Sequence, residues 1–182
     1  IIEEAVASGI EEACVVVSPE DEAAFQNFLD VSGLSATATL AVQPTPEGSG
    51  HAIWCAKDWA GGDPFLLLLG DHVYTVPGST SAMSQVLAAA RARGTSVWGV
   101  QRLPEESIGP YGIVAGTPVA QGILDVTRIL EKPSVEAARE HLRVEGVWPR
   151  YLGIFGIYAL SATYMECLDA LVEGNLRQSG EI

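Results

Sequence analysis

Phe65-Leu66-Leu67-Leu68-Leu69-Gly70-Asp71-His72 is the stretch on which the fold turns. Its five consecutive apolar residues leave no polar face, so a strand made from them needs cover on both sides, as a parallel strand between two helix layers has. Outward from this strand the same alternation recurs. Upstream, an apolar β-branched run at Ala13 to Val17 precedes Ser18-Pro19-Glu20, an N-cap followed by a proline suited to a first helical turn, and a helix is predicted over 19–30. A strand at 36–43, a helix at 49–57, the strand at 65–70, a helix at 80–93 and a strand at 95–101 complete a βαβα order. The opening residues 1–9 place Ile1, Ile2, Ala5 and Val6 on one face and end at Gly9, which reads as a helix closed by a glycine cap.

The expected fold class is therefore α/β with a doubly wound, mostly parallel sheet. Past residue 101 the pattern loosens into short strands around 112–130, a helix at 134–142, a strand at 151–159 and a helix at 161–173, so the sheet is expected to become mixed. In open α/β sheets ligands bind outside the carboxyl ends of the strands, which directs attention to the loops that begin at Gln43, Gly70 and Gly112.

Composition narrows the function classes. The chain has 182 residues, ten Lys plus Arg against 23 Asp plus Glu, a formal charge of −13 and 48% hydrophobic residues, with a mean hydropathy of +0.23. Disorder is excluded by that hydrophobicity, and the length fits a single domain. The acidity argues against a nucleic-acid groove, where clustered Lys and Arg are expected. Charge-free stretches such as Tyr151 to Leu160 are far shorter than the ~20 apolar residues of a bilayer span, so no membrane partner is expected. Cys14, Cys55 and Cys167 show no metal-ligand spacing, and three scattered cysteines read as reduced thiols of a cytoplasmic protein. The chain opens on Ile1 within a helical pattern and closes on Gly180-Glu181-Ile182 where a strand could begin, so the expectation is a partial domain with N- and C-terminal parts missing.

Several residues could carry chemistry. Asp71, a carboxylate at the mouth of a buried strand, suits Mg2+, which is usually held by one or two carboxylates plus substrate phosphates; the alternative is that it caps the next segment. Gln43-Pro44-Thr45-Pro46-Glu47-Gly48-Ser49-Gly50-His51 links a strand to a helix, and its glycines let backbone N–H groups approach a ligand, although by itself a turn with Ser49 as N-cap is the plainer reading. His51 and His72 lie near these loops, but a lone histidine is commonly a hydrogen-bonded structural residue; His141 is expected on a solvated helix face. The chain has two lysines. Lys132, in Ile129-Leu130-Glu131-Lys132-Pro133 at a strand end, offers a compact charge to phosphate, or is an ordinary surface partner of Glu131. Gly112 either presents bare backbone to a sugar or makes a turn. Trp54, Trp59, Trp98 and Trp148 form no stripe and read as packing residues.

Taken in order, IIEEAVASGIEEACVVVSPED, VQPTPEGSGHAIWCA, FLLLLGDHV, YGIV, ILEKP, GIFGIYAL and the terminal GEI resemble the sugar nucleotidyltransferases, or nucleoside-diphosphate-sugar pyrophosphorylases, and most closely their bacterial UTP:glucose-1-phosphate uridylyltransferase branch. The resemblance runs through nearly the whole chain. It implies a Rossmann-like fold of the nucleotide-diphospho-sugar transferase type, an upstream glycine-rich loop and a downstream second metal carboxylate outside residues 1–182, and a homo-oligomer.

It also implies roles. Gln43 would read the uracil edge and the Gly48 backbone would contact the same base; Asp71 would bind Mg2+. Gly112 would contact the sugar, Glu131 would accept hydrogen bonds from its hydroxyls, Lys132 would hold the phosphate of glucose 1-phosphate, and Gly156 would line the sugar pocket. Asp71 and Lys132 are thus the expected catalytic pair, with UTP and glucose 1-phosphate as substrates. His72 departs from the pattern, since many relatives carry a second acidic residue there. The VQPTPEG segment also resembles the thymidylyl branch, so thymidylyl transfer remains an alternative, as does a non-catalytic relative that keeps the sugar-nucleotide pocket. A metal-dependent glycosyltransferase is disfavoured because no DxD motif is present.

Overall fold

The computed structural model describes residues 1–177 and 181–182. Gly180 of the terminal Gly180-Glu181-Ile182 therefore lies outside the described residues. The chain divides into one unit of residues 1–97 and 159–182 and a second of residues 98–158.

The first unit alternates strand and helix. Helix α1 (Ile2–Ala7) leads to β1 (Ala13–Val17), α2 (Glu22–Ser32), β2 (Ala38–Val42), α3 (Ser49–Cys55), α4 (Lys57–Ala60), β3 (Phe65–Leu68) and α5 (Ala82–Arg93). β1 and β2 pair in parallel from Ala13 opposite Ala38 to Val17 opposite Val42, the arrangement a βαβ unit requires. α2 starts three residues later than Pro19 suggests, because Ser18 Oγ donates to Asp21 Oδ2 at 2.8 Å and Asp21 becomes the N-cap. α5 opens on Ser81, whose Oγ accepts from the Ser84 amide at 3.1 Å.

The sequence expectation for β3 needs a correction. Its residues are only half-buried, although they are apolar on both faces. The physical reason is that β1 and β3 are not joined as neighbours: Cys14 and Val15 of one strand and Leu66 and Leu67 of the other line an apolar cavity of about 970 Å³ within this unit. The buried residues of this unit include Leu29, Met83, Val86, Met165 and Leu168.

In the second unit, β4 (Val97–Leu103, entering from Val97) and β5 (Gly112–Ala120) both pair with β7 (Tyr151–Leu160), and β5 forms an antiparallel hairpin with β6 (Ile123–Glu131). The expected mixing of the sheet is the antiparallel pairing of β5 with β6 and with β7. Helix α6 (Val135–His141) is capped by Ser134, and its Ala138 packs with Ile113, Val114, Leu142, Tyr151 and Leu152 in one core. Glu105 pins this unit's surface: Arg139 donates to both its carboxylate oxygens, at 2.9 and 2.5 Å, and Tyr151 Oη donates at 3.2 Å. The Arg139 guanidinium, ahead of the Tyr151 hydroxyl, holds the Glu105 carboxyl below the usual range.

Helix α7 (Thr163–Glu173) belongs to the first unit and meets α3 and α4 through Asp169, which accepts from Trp54 Nε1 at 2.8 Å and from Lys57 Nζ at 2.6 Å. The packing reading of the tryptophans holds for Trp54, and also for Trp98 and Trp148, which meet Tyr158 and Tyr151 edge-on at 6.0 and 5.6 Å between ring centroids, although without full burial. Trp59, Trp98 and Trp148 are each 37–43% exposed, since bulk apolar character does not by itself dictate full burial. Among the described residues no helix is long and apolar enough to cross a membrane.

Candidate functional site

Where the parallel pair β1–β2 ends, the Gln43 amide continues the ladder by donating to Val17 O at 2.8 Å. That bond fixes the start of the 43–51 loop at the carboxyl edge of the strands. Gln43 Nε2 turns back into the loop, donating to Gly48 O at 3.1 Å and reaching His51 Nδ1 at 3.2 Å. Gly48, not Ser49, is the N-cap of α3, at φ 103° and ψ 175°, a conformation open essentially to glycine. Space enforces the same choice, because a Cβ on Gly48 would lie 2.6 Å from Glu181 Cβ.

The terminal residues clamp this loop. Ile182 N donates to Glu47 O at 2.9 Å and Gly50 N donates to Ile182 O at 2.8 Å. Glu47 is paired with Arg177 and accepts from Thr45 Oγ1 at 2.8 Å, and the Arg177 hydrogen bond, followed by Thr45, lowers its carboxyl below the ordinary range. His51 is 6% exposed, stacks on Trp54 with centroids 5.8 Å apart, and places Nε2 4.0 Å from Cys55 Sγ.

Asp71 follows β3 on an exposed turn, its side chain 85% exposed. His72 Nδ1 lies 2.8 Å from Asp71 Oδ1, and that hydrogen bond is the main reason the Asp71 carboxyl sits below its usual range. A buried tyrosine with no local pattern to mark it holds the turn: Tyr74 Oη accepts from Leu69 N at 3.0 Å and donates to Leu69 O at 2.9 Å. No group of three or more metal-ligating side chains occurs among the described residues. A single, ionised, outward-facing carboxylate fits a Mg2+ ion held largely by substrate phosphates and water rather than by a protein cage.

In the second unit, Gly112 and Glu131 are cross-strand partners at the open end of the β5–β6 hairpin. Gly112 is a strand residue, not a turn, and a Cβ there would approach Glu131 Oε2 to 2.8 Å and Ile154 Cδ1 to 2.9 Å. Lys132 donates its amide to Tyr111 O at 3.1 Å and then turns left-handed at φ 44°, which costs a non-glycine residue about 1–2 kcal/mol. Such strain concentrates at functional positions. Lys132 Nζ stands 4.0 Å from Glu131 Oε1 with both side chains about two-thirds exposed, which is the surface pair expected of an ordinary lysine here. Gly156 is a buried residue inside β7 at φ 76°.

Each unit thus groups its own candidates: Gln43 with Gly48, and Gly112 with Glu131 and Lys132. Asp71 pairs with its neighbour His72. Missed by sequence reasoning were Tyr74, Arg177 and the clamping contacts of Ile182; none has a local pattern that marks it.

Comparison with known proteins gives a consistent neighbourhood. The sequence model of the nucleotidyl transferase family matches residues 1–180. UTP–glucose-1-phosphate uridylyltransferase 1 of Staphylococcus saprophyticus is 30% identical over 203 aligned positions, covering 100% of this chain and 66% of that protein. The Bacillus subtilis UTP–glucose-1-phosphate uridylyltransferase is 31% identical, covering 100% of this chain and 64% of its own length. The chain thus spans just under two thirds of these relatives. Among solved structures, a UTP-bound UGPase from Acinetobacter baumannii superposes with a TM-score of 0.72 at 25% identity, over 93% of this chain and 64% of that one. A UDP-glucose pyrophosphorylase complexed with UDP-glucose shares the fold at a TM-score of 0.75 and 23% identity, over 92% of this chain and 65% of that one.

Proposed function

The chain belongs to the nucleotidyl transferase family, and from that membership we propose that it transfers a uridylyl group from UTP to glucose 1-phosphate, giving UDP-glucose and pyrophosphate. The observation that carries the reading is the grouping at the β5–β6 end, where a glycine closely approached by the Glu131 and Ile154 side-chain ends, a carboxylate and a left-handed lysine occur together. Residues 1–182 are read as part of one nucleotidyltransferase domain.

In this reading Gln43 contacts the uracil edge and the Gly48 backbone the same base. Glu131 accepts hydrogen bonds from glucose hydroxyls, the Gly112 backbone lies against the sugar, and Gly156 lines its pocket. Lys132 holds the phosphate whose oxygen attacks the α-phosphorus of UTP; the bond from that phosphorus to the bridging oxygen breaks and pyrophosphate leaves. Asp71 would hold Mg2+, which supplies charge neutralisation and polarisation of phosphate oxygens when bound. Little covalent chemistry falls to the protein. Positioning dominates, and well-oriented reactants gain roughly 7–11 kcal/mol of barrier reduction. Two polyanions approach a chain of formal charge −13, so the ammonium of Lys132 offsets repulsion that the rest of the surface increases.

The free thiols of Cys14, Cys55 and Cys167 support a reducing, cytoplasmic setting, and a homo-oligomer is part of the proposal. The deciding experiment measures pyrophosphate release by the complete protein with Mg2+ and glucose 1-phosphate, given UTP, dTTP, ATP, CTP or GTP. Release fastest with UTP supports uridylyl transfer. A preference for dTTP moves the assignment to thymidylyl transfer, and binding of UDP-glucose with no turnover on any of the five moves it to a non-catalytic relative.

A further inference from the structure

We infer that His51 is a positioning residue for base selection: it locks the Gln43 amide so that Gln43 offers an incoming base only a carbonyl oxygen. The inference rests on the reading of Gln43 as the base-edge residue. It starts from an atom whose role is not open to choice. Gly48 O is a carbonyl and can only accept, so the Gln43 atom 3.1 Å away is the amide nitrogen. That nitrogen carries two hydrogens and no lone pair to give. The second faces His51 Nδ1 at 3.2 Å, which must then be the unprotonated ring nitrogen. The ring proton sits on Nε2, towards Cys55 Sγ at 4.0 Å, a weak acceptor.

The chain of donors therefore runs one way, from Gln43 to Gly48 and His51, and from His51 towards Cys55. Both amide hydrogens are used inside the loop. What remains on Gln43 is Oε1, with acceptor capacity alone. A base edge that presents a donor, such as the imide N–H of uracil or thymine, satisfies it; an edge that presents only an acceptor at that point leaves two lone pairs facing each other, and a buried mismatch of this kind discriminates strongly. His51 can do this because it does not wander: it is 6% exposed and stacked on Trp54, and Trp54 is itself held by Asp169 at 2.8 Å.

The test uses the complete protein with four variants: Gln43→Ala, His51→Leu, the double variant, and His51→Asn, whose side-chain oxygen can accept near the position of Nδ1. The expected result is a tenfold or larger rise in KM for UTP in His51→Leu, with kcat and KM for glucose 1-phosphate within about twofold. His51→Asn should recover most of the loss, and the double variant should be no worse than Gln43→Ala, because the two side chains act as one unit. Equal damage in His51→Leu and His51→Asn, or a fall in kcat with KM unchanged, would overturn the inference and leave His51 a packing residue. A raised KM in Gln43→Ala beside a normal one in His51→Leu overturns the inference while the base reading stands; a normal KM in Gln43→Ala overturns both. An independent readout needs no variant. Long-range 1H–15N spectra should show His51 as the Nε2–H tautomer, and an Nδ1–H ring would sink the idea.

Discussion

Gly112 and Glu131 face each other across the β5–β6 pair so closely that a methyl group on Gly112 would stand 2.8 Å from Glu131 Oε2. The atoms it would meet are the far ends of flexible side chains, Glu131 and Ile154. Gly112→Ala should therefore displace them rather than break the hairpin, at a cost near 1 kcal/mol, the low end for overpacking. The moved carboxylate is the sugar-binding group of the proposal. KM for glucose 1-phosphate should rise tenfold or more, with KM for UTP nearly unchanged. An unchanged sugar-phosphate KM in a folded variant would separate Glu131 from sugar binding.

Lys132 sits at φ 44°, so substitution can separate backbone strain from charge. Lys132→Gly removes the steric cost of the left-handed turn, offset in part by glycine's freedom in the unfolded chain, and should leave stability unchanged or higher by up to about 1 kcal/mol. Turnover should nevertheless fall at least a hundredfold, because the ammonium is gone. Asp71→Asn is the companion change: the amide oxygen can still accept from His72 Nδ1, now 2.8 Å from Asp71 Oδ1, so the turn should survive while the Mg2+ concentration for half-maximal rate rises. Paired measurements of Tm and steady-state rate decide both, and near-normal rates in either folded variant would remove it from the catalytic pair.

Local pattern made the alternation legible and little else. β1 at Ala13–Val17 was readable to the residue because a β-branched run stands between a glycine-ended helix and Ser18-Pro19. The β5–β6 hairpin was blurred into short strands because register shifts between Ala115 and Gly116 and between Pro118 and Ala120 interrupt its period of two. In the site, the loop opening at Gln43, and Lys132, could be nominated from their place at strand ends, whereas Gly48 and Glu131 were marked only by the family resemblance, and the surroundings of all four were hidden. Trp54 meets Asp169 across 115 residues and Arg177 meets Glu47 across 130; no periodicity links such pairs. The left-handed turn at Lys132 was equally hidden, since lysine gives no sign of a positive φ.

Asp169 predicts how stability responds to pH. Its carboxyl is lowered, chiefly by the hydrogen bond from Lys57 and then by that from Trp54, and the Lys57 ammonium is correspondingly raised by Asp169. A lowered acid contributes stability fully above its unfolded pKa of about 3.9, and that contribution is lost as pH falls through the folded value. The raised lysine contributes fully below its unfolded value of about 10.4 and loses the contribution as pH rises through the folded one. Asp169→Asn should thus narrow the gap to the parent below about pH 4 and above about pH 10. Urea unfolding at pH 3, 7 and 11 checks this; a parent-to-variant difference that stays constant across all three would assign the effect to packing instead.

The cavity of about 970 Å³ beside β1 and β3 gives the last prediction. Apolar strand residues ordinarily bury both faces when helices flank them, yet Phe65–Leu68 are only half-buried and Ala13–Val16 likewise. Apolar surface of that extent, open to a small aromatic solute, should bind a dye such as ANS in residues 1–182 studied alone. Native-like near-ultraviolet circular dichroism under the same conditions would distinguish this from a loosened fold, in which dye binding comes with lost tertiary signal. Leu67, which lines the cavity, supplies the control: Leu67→Glu places a carboxylate among apolar walls and should cut the fluorescence gain severalfold. Dye binding that Leu67→Glu leaves untouched would place the bound dye elsewhere, and no enhancement in the parent would mean that β1 and β3 close on each other in solution.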